Sequence, residues 1–321
     1  MVQAAVNLIP EAPVASIVEL AQHAEQRGFE RCWVYDEGLA ARDVYVTLTA
    51  IAVATNTIRL GPGITNPYTR HMTSTIGAIA ALDELSGGRA FLGVGAGGSM
   101  TLDPIGLSRP KPVRAVRELI EASRALFSSD PAEYFGEFVE IHGAALDYAR
   151  PSTEIWLAGR GPRMLELGAK QCDGVMMDVI YKPLLAETIE RVRRLGHEAG
   201  NAPKISYSTM LVTDDRSMTI AKNHMTYRLI DSPPDVKESI GLDDEDAGRL
   251  RAAMSGGLEA AGELVRDKWV LPFVISGTID ECANELSMIV ERDAIDEFLV
   301  PVLDQESSDR TIDIAAQVLG L

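Results

Sequence analysis

Gly61-Pro62-Gly63-Ile64-Thr65-Asn66-Pro67 decides how this chain is read. It follows an apolar run ending at Leu60 and precedes a helical pattern that starts near Met72. Two glycines and two prolines within seven residues do not suit the interior of an ordinary strand. Gly63 can adopt backbone angles closed to other residues, so another group can approach the main chain there. Pro62 and Pro67 fix φ and remove two N–H donors. Two readings fit: a tight strand-to-helix connection, or a bulge lying against a flat ligand. The flanking chain bears on the choice.

Outward from this stretch, a strand-then-helix unit recurs on both sides. Towards the N-terminus, residues 4–9 form a short apolar run interrupted by Asn7. Val14, Ile17, Val18, Ala21 and Ala24 then recur at helical spacing, closed by Gly28. Residues 32–35 read as a second strand ending at Asp36-Glu37-Gly38, followed by a helix over 43–55 and a strand from Ile58 into the opening stretch. Towards the C-terminus, a helix over 72–85 and a strand over 90–94 lead into Gly95-Ala96-Gly97-Gly98. A helix opens at Pro112, and residues 134–146 read as a small antiparallel excursion. Strands over 155–158, 174–179, 205–213 and 297–303 alternate with helices from Arg163 and over 184–199 and 279–291. Residues 214–277 read as mostly helical, broken at Pro233-Pro234.

Eight short apolar strands joined through helices, with no hairpin signal between them, predict a parallel sheet. A closed (β/α)8 TIM barrel fits better than an open dinucleotide-binding sheet. The run Gly93-Val94-Gly95-Ala96-Gly97-Gly98 follows the fourth strand, not the first, and its helix starts late. The expected organisation is one barrel domain over 1–321, with insertion segments at about 129–150 and 214–277.

Composition narrows the partners. The 321 residues are 46% hydrophobic and 24% charged, as in globular proteins. Acids outnumber bases 47 to 30, a net charge of -17 that argues against nucleic acid or an anionic membrane. Cys32, Cys172 and Cys282 lie far apart, so neither a disulfide framework nor a zinc site is expected, and no metal is expected elsewhere. No Lys or Arg precedes Arg27 and no apolar run reaches spanning length, which points to the cytoplasm.

In a barrel of this kind ligands sit at the C-terminal ends of the strands. Those ends carry Asn7, Asp36-Glu37, residues 63–66, residues 95–99, residues 158–162 and Asp178. Glycine at three of them leaves room for a planar ligand against the backbone. Gly159-Arg160-Gly161-Pro162 ahead of a helix reads as a phosphate seat, or as a plain loop with a proline-initiated helix. Glu37 is the candidate proton donor or acceptor; a solvated carboxylate is the plainer reading. His71 can polarise a substrate oxygen or serve only as a helix-start residue.

Gly61-Pro62-Gly63-Ile64-Thr65-Asn66-Pro67-Tyr68-Thr69-Arg70 resembles the signature of methylenetetrahydromethanopterin reductases, within the luciferase-like (β/α)8 family whose members use the deazaflavin F420 or FMN. Leu82-Asp83-Glu84-Leu85-Ser86-Gly87-Gly88-Arg89-Ala90, Leu92-Gly93-Val94-Gly95-Ala96-Gly97, Ala158-Gly159-Arg160-Gly161-Pro162 and Ser232-Pro233-Pro234 agree with it. The resemblance implies a bulged cis peptide at Gly63-Ile64 behind the cofactor ring. It implies that Asp36, Thr65, Gly95 and Ala96, with Gly97 beside them, line the ring, and that Ala158, Gly159, Arg160, Gly161 and Pro162 hold phosphate. It further implies hydride transfer to or from a small-molecule substrate, and a homodimer.

Departures fall on the substrate side. Asn7 stands where the methanopterin reductases have a glutamate, and Asp36-Glu37 where an acid and a histidine are usual. Gly98 stands where a sugar-phosphate-oxidising relative has an acid. Asn7, Glu37 and His71 are therefore the catalytic candidates. The leading expectation is an F420-dependent oxidoreductase with a different substrate. The alternatives are an FMN-dependent monooxygenase and a non-catalytic barrel that binds a flavin-like ligand.

Overall fold

The computed structural model describes residues 2–321. Its strands are β1 (Gln3–Leu8), β2 (Arg31–Val34), β3 (Arg59–Pro62), β4 (Phe91–Val94), β5 (Ala132–Phe135), β6 (Glu140–Ala144), β7 (Glu154–Ala158), β8 (Gly174–Asp178), β9 (Lys204–Ser208), β10 (Leu211–Val212), β11 (Ile275–Ser276) and β12 (Glu297–Val302). Eight of them form one parallel sheet in the order β3-β2-β1-β12-β9-β8-β7-β4. Parallel bridges Leu60↔Ala90 and Thr65↔Val94 join its two edges, so the sheet closes into the expected (β/α)8 barrel.

Those two bridges locate the bulge. They lie five residues apart on the β3 side and four apart on β4, so one extra residue is inserted between them. The Gly63–Ile64 peptide inside this stretch is cis. Asn7 Nδ2 donates to the Gly63 carbonyl at 3.0 Å, and the Gly63 N–H reaches the Val34 carbonyl at 2.6 Å. The opening stretch is thus both the third strand's exit and a bulge.

The barrel interior sets three aromatic rings and a buried charge among Ala5, Met176 and Leu299. Trp33 packs edge-on against Phe91 and Trp156, with ring centroids 4.4 and 5.7 Å apart. Glycines make the space. A side chain at Gly61 would meet Phe91, one at Gly93 would meet the Pro62 carbonyl and the Trp33 ring, and one at Gly174 would meet Trp156. Arg31 lies beneath, only 2% exposed, its guanidinium carbon 4.5 Å from the Phe91 and Trp156 ring centroids. Arg31 Nε is 2.7 Å from Glu297 Oε2, and Arg31 Nη2 is 3.1 Å from Glu154 Oε2.

Outside the barrel, the antiparallel excursion is β5 paired with β6. The expected strand over 205–213 divides. β9 ends at Ser208, and Leu211–Val212 pairs with Ile275–Ser276 in a separate two-stranded sheet. The reason is packing: Met210 and Val212 join an apolar cluster with Met225, Leu229, Trp269 and Phe273 from the long helical segment. That segment carries helices Asp215–Asp231, Pro234–Ile240, Asp244–Ala253, Leu258–Gly262 and Asp267–Val270, with Pro233 as the cap at the expected break. A terminal helix, Ser308–Leu319, follows β12; Ile312, Ala315, Ala316 and Val318 give it a buried stripe that the sequence reading passes over. No described helix is long and apolar enough to cross a membrane.

Candidate active site

The strand ends converge on a mouth whose floor is the bulge. Half-buried Ile64 reaches across β4, where its δ-methyl fills the space a side chain at Gly95 would occupy, near the Ala158 carbonyl. This corrects one expectation. The missing side chains at Gly63 and Gly95 make room for Trp33, Asn7 and Ile64, not for a ligand. Gly161 differs, because nothing lies within 4 Å of where its side chain would be.

On the β2 side, Asp36 and Glu37 are half-buried and each accepts one hydroxyl bond. Thr65 Oγ1 donates to Asp36 Oδ2 at 2.7 Å, and Thr101 Oγ1 donates to Glu37 Oε2 at 2.9 Å. Burial raises the Asp36 pKa, and the Thr65 bond partly opposes it. Burial also raises Glu37; the Thr101 bond lowers it and the Asp36 charge raises it again. Glu37 therefore holds a proton closer to neutral pH than an ordinary carboxylate, as a general acid or base requires.

On the β7 and β8 side, Gly159 is half-buried while Arg160, Gly161 and Pro162 are exposed at the start of helix Pro162–Gln171. No side chain caps that helix start. Arg160 has no side-chain hydrogen bond or ion pair to any described residue, and it is open to solvent although neighbouring atoms crowd it. That crowding, followed by the Arg228 charge, lowers its pKa. Arg228 arrives from helix Asp215–Asp231 and pairs with Asp178 at the end of β8, with a 3.1 Å bond to the Asp178 carbonyl. Burial opposes the Arg228 charge, but Asp178 maintains it. Tyr35 is lifted well above the usual phenol range, by burial first and then by the Asp178 charge.

Two catalytic candidates are reassigned. Asn7 is 2% exposed and faces Gly63 with both amide atoms, so it positions the bulge from behind. Asn7 Oδ1 has no hydrogen-bond partner there. His71 is exposed, and its Nδ1 lies 2.7 Å from Thr73 Oγ1 in the first turn of helix Met72–Leu85, a helix-start contact. Thr65 and Gly95 are buried, and Ala96, Gly97 and Ala158 are half-buried along the mouth, with Gly97 at φ 73°. The sequence reading missed Arg228, Thr101, Tyr35 and Tyr45. Arg228 and Thr101 lie in segments with no strand-end signal. Tyr35 is the residue just before Asp36, and its inward placement was available from strand alternation. Among the described residues no group of three His, Cys, Asp or Glu could hold a metal ion.

Eight parallel strands closed into a ring, with a cis-peptide bulge leaving the third strand, define a (β/α)8 barrel protein of the bulged type. The chain belongs to the luciferase-like monooxygenase family, whose profile matches residues 2–296. It is similar to the 5,10-methylenetetrahydromethanopterin reductase of Methanolobus tindarius, 31% identical over 89% of this chain and 90% of that protein. The enzyme of the same name from Archaeoglobus fulgidus is 33% identical over 88% of this chain and 89% of its own. The structure of the coenzyme F420-dependent tetrahydromethanopterin reductase from Methanopyrus kandleri superposes with TM-score 0.87 at 27% identity, covering 98% and 97% of the two chains.

Proposed function

We propose that this chain is an F420-dependent oxidoreductase that moves a hydride between the deazaflavin ring and a small organic substrate other than methylenetetrahydromethanopterin. The observation that carries the proposal is the Arg160 guanidinium, without a hydrogen bond or ion pair among the described residues, beside the open Gly161 and an uncapped helix start that follows β7. Such a seat suits a phosphate, since it offers backbone N–H groups, a positive helix end and a bidentate cation. Bound there, a deazaflavin supplies a two-electron hydride donor or acceptor.

The chain's own residues do the remainder. Ala158, Gly159, Arg160, Gly161 and Pro162 hold the phosphate end, and the Gly63-Ile64 bulge with Thr65, Gly95, Ala96 and Gly97 forms the wall for the ring. Asp36 orients a ligand donor, and Glu37 holds or releases the proton that accompanies the hydride. The different substrate follows from Asn7, whose amide has no ionisable proton and lies behind the bulge. Arg160→Ala is expected to weaken F420 binding about tenfold or more, the worth of one charge-assisted contact. Fluorescence titration measures it, and unchanged affinity would remove the seat.

We also infer a cytoplasmic homodimer. The three cysteines are free and buried, as suits a reducing compartment. Helices Val44–Ala54 and Met72–Leu85 pack together and expose Val46, Thr49, Val53, Ser74 and Ala81, a largely uncharged face with Glu84 at its edge on a chain of net charge -17. Val53 is 74% and Val46 60% exposed. Light scattering should give twice the 34.7 kDa chain mass, and Val53→Glu should return it to one.

A further inference from the structure

Tyr45 lies outside every strand end, yet its hydroxyl points at the site. It is 8% exposed, in the first turn of helix Val44–Ala54, and its Oη donates to Thr65 Oγ1 at 3.3 Å. Thr65 is fully buried and donates its one hydroxyl proton to Asp36 Oδ2 at 2.7 Å. The Thr65 oxygen is thereby left to accept, and Tyr45 is its donor, so the bonds run in one direction from Tyr45 to Thr65 to Asp36.

Both donors of the relay are anchored. Thr65 is fixed by its backbone, whose N–H reaches the Gly93 carbonyl and whose carbonyl accepts from Gly95, each at 3.0 Å. Tyr45 is held by its helix start, where Asp43 Oδ1 accepts the Tyr45 and Val46 N–H groups at 2.9 and 3.0 Å. Arg70 pairs with Asp43 at 3.1 Å and places its guanidinium carbon 4.4 Å from the Tyr45 ring centroid. The buried Thr75 hydroxyl lies beside the Tyr45 hydroxyl on its other side.

We propose that Tyr45 is a positioning residue that acts through Thr65 on Asp36, fixing Oδ2 within the protein and leaving the other carboxylate oxygen to accept from an N–H or O–H donor of the bound ligand. The purpose of the relay rests on the oxidoreductase reading; its existence does not. A donor chain aimed at a carboxylate favours the charged form and opposes the burial that acts on Asp36. The charged groups that face Asp36 are Glu37 beside it, Asp43 at the helix start and Arg70 from the loop before helix Met72–Leu85. Asp43 and Arg70 compensate each other across their ion pair, so the contacts that oppose burial at Asp36 are the Thr65 hydroxyl first and the Gly38 N–H second; the variants below change only the first.

The test is carboxyl-carbon NMR titration of Asp36 in the full chain without cofactor. Thr65→Val should move its midpoint up by about one pH unit, and Tyr45→Phe should move it up by about half as much. Thr65→Ser, which restores the hydroxyl, should return it to the parent value. A Tyr45→Phe titration that overlays the parent, or a Thr65→Ser midpoint that stays with Thr65→Val, would overturn the relay. Tyr45→Phe removes a single oxygen, so the comparison survives if Thr65→Val does not fold. The pH at which F420 affinity changes should follow the same midpoints. Absence of F420 binding would count against the proposed function, while the cofactor-free titration would still decide the relay.

Discussion

Arg31→Met is expected to destabilise the fold by about 3–5 kcal/mol, because it leaves a buried carboxylate without its cation. Glu297 is 0% exposed, and Arg31 Nε is its only cationic partner among the described residues. Its other oxygen accepts from Trp33 Nε1 at 3.2 Å and Ser206 Oγ at 2.8 Å, bonds that cannot neutralise a charge. Glu154 is better protected, since Arg59 and Lys204 contact it at 2.9 and 3.2 Å and remain.

The pH dependence of that variant distinguishes lost charge from lost packing. Burial already raises the Glu297 pKa with Arg31 present; without Arg31 the rise is larger. A folded pKa above the unfolded value of about 4.3 means the native state binds more protons through that window. Stability of Arg31→Met should therefore fall as pH rises above about 4.3 and level off past the folded value. Adding Glu297→Gln should restore much of the loss at neutral pH. Denaturant unfolding across pH measures all of this, and a pH-independent loss would point to packing alone.

Glu37→Gln is expected to lower kcat by about 10²–10⁴, the usual contribution of a positioned acid or base. Glutamine keeps the acceptor that Thr101 uses at 2.9 Å, so the loop after β4 should stay docked. F420 affinity should change little, and the pH–rate limb set by Glu37 should disappear. The raised pKa gives the sign. In the parent, a step that needs Glu37 protonated fails as pH rises through its pKa, and one that needs the carboxylate fails as pH falls through it. A variant with the parent's kcat at every pH would remove Glu37 from the chemistry.

The parts of the site written in local sequence were legible. Gly-Pro punctuation marked a turn or a bulge at 61–67, the resemblance favoured the bulge, and strand-then-helix alternation fixed the barrel and hence which ends are open to a ligand. The barrel interior was not legible. Arg31, Glu154 and Glu297 each begin a strand, where a charge reads as solvated flank. Only closure of the ring brings together residues as far apart as 123 positions in the Arg31–Glu154 bond. Glycine was misread for a related reason. A glycine facing a ligand and one facing a tryptophan look alike in sequence, and the space at Gly95 belongs to Ile64. Arg228 comes from the inserted helices, whose hydrophobic pattern records their own cluster and not the mouth they approach. Asn7 was placed at the right end of β1, but the sequence could not show that the bulge lies between it and the mouth.

The central claim is that the mouth bounded by Gly63-Ile64, Glu37 and Arg160 binds a deazaflavin and uses it for hydride transfer. Parallel titrations of the full chain with F420 and with FMN, followed by fluorescence, test it most directly. Saturable F420 binding that is weakened by Arg160→Ala, with no saturable FMN binding, is the predicted result. Saturable FMN binding with none for F420 would contradict it.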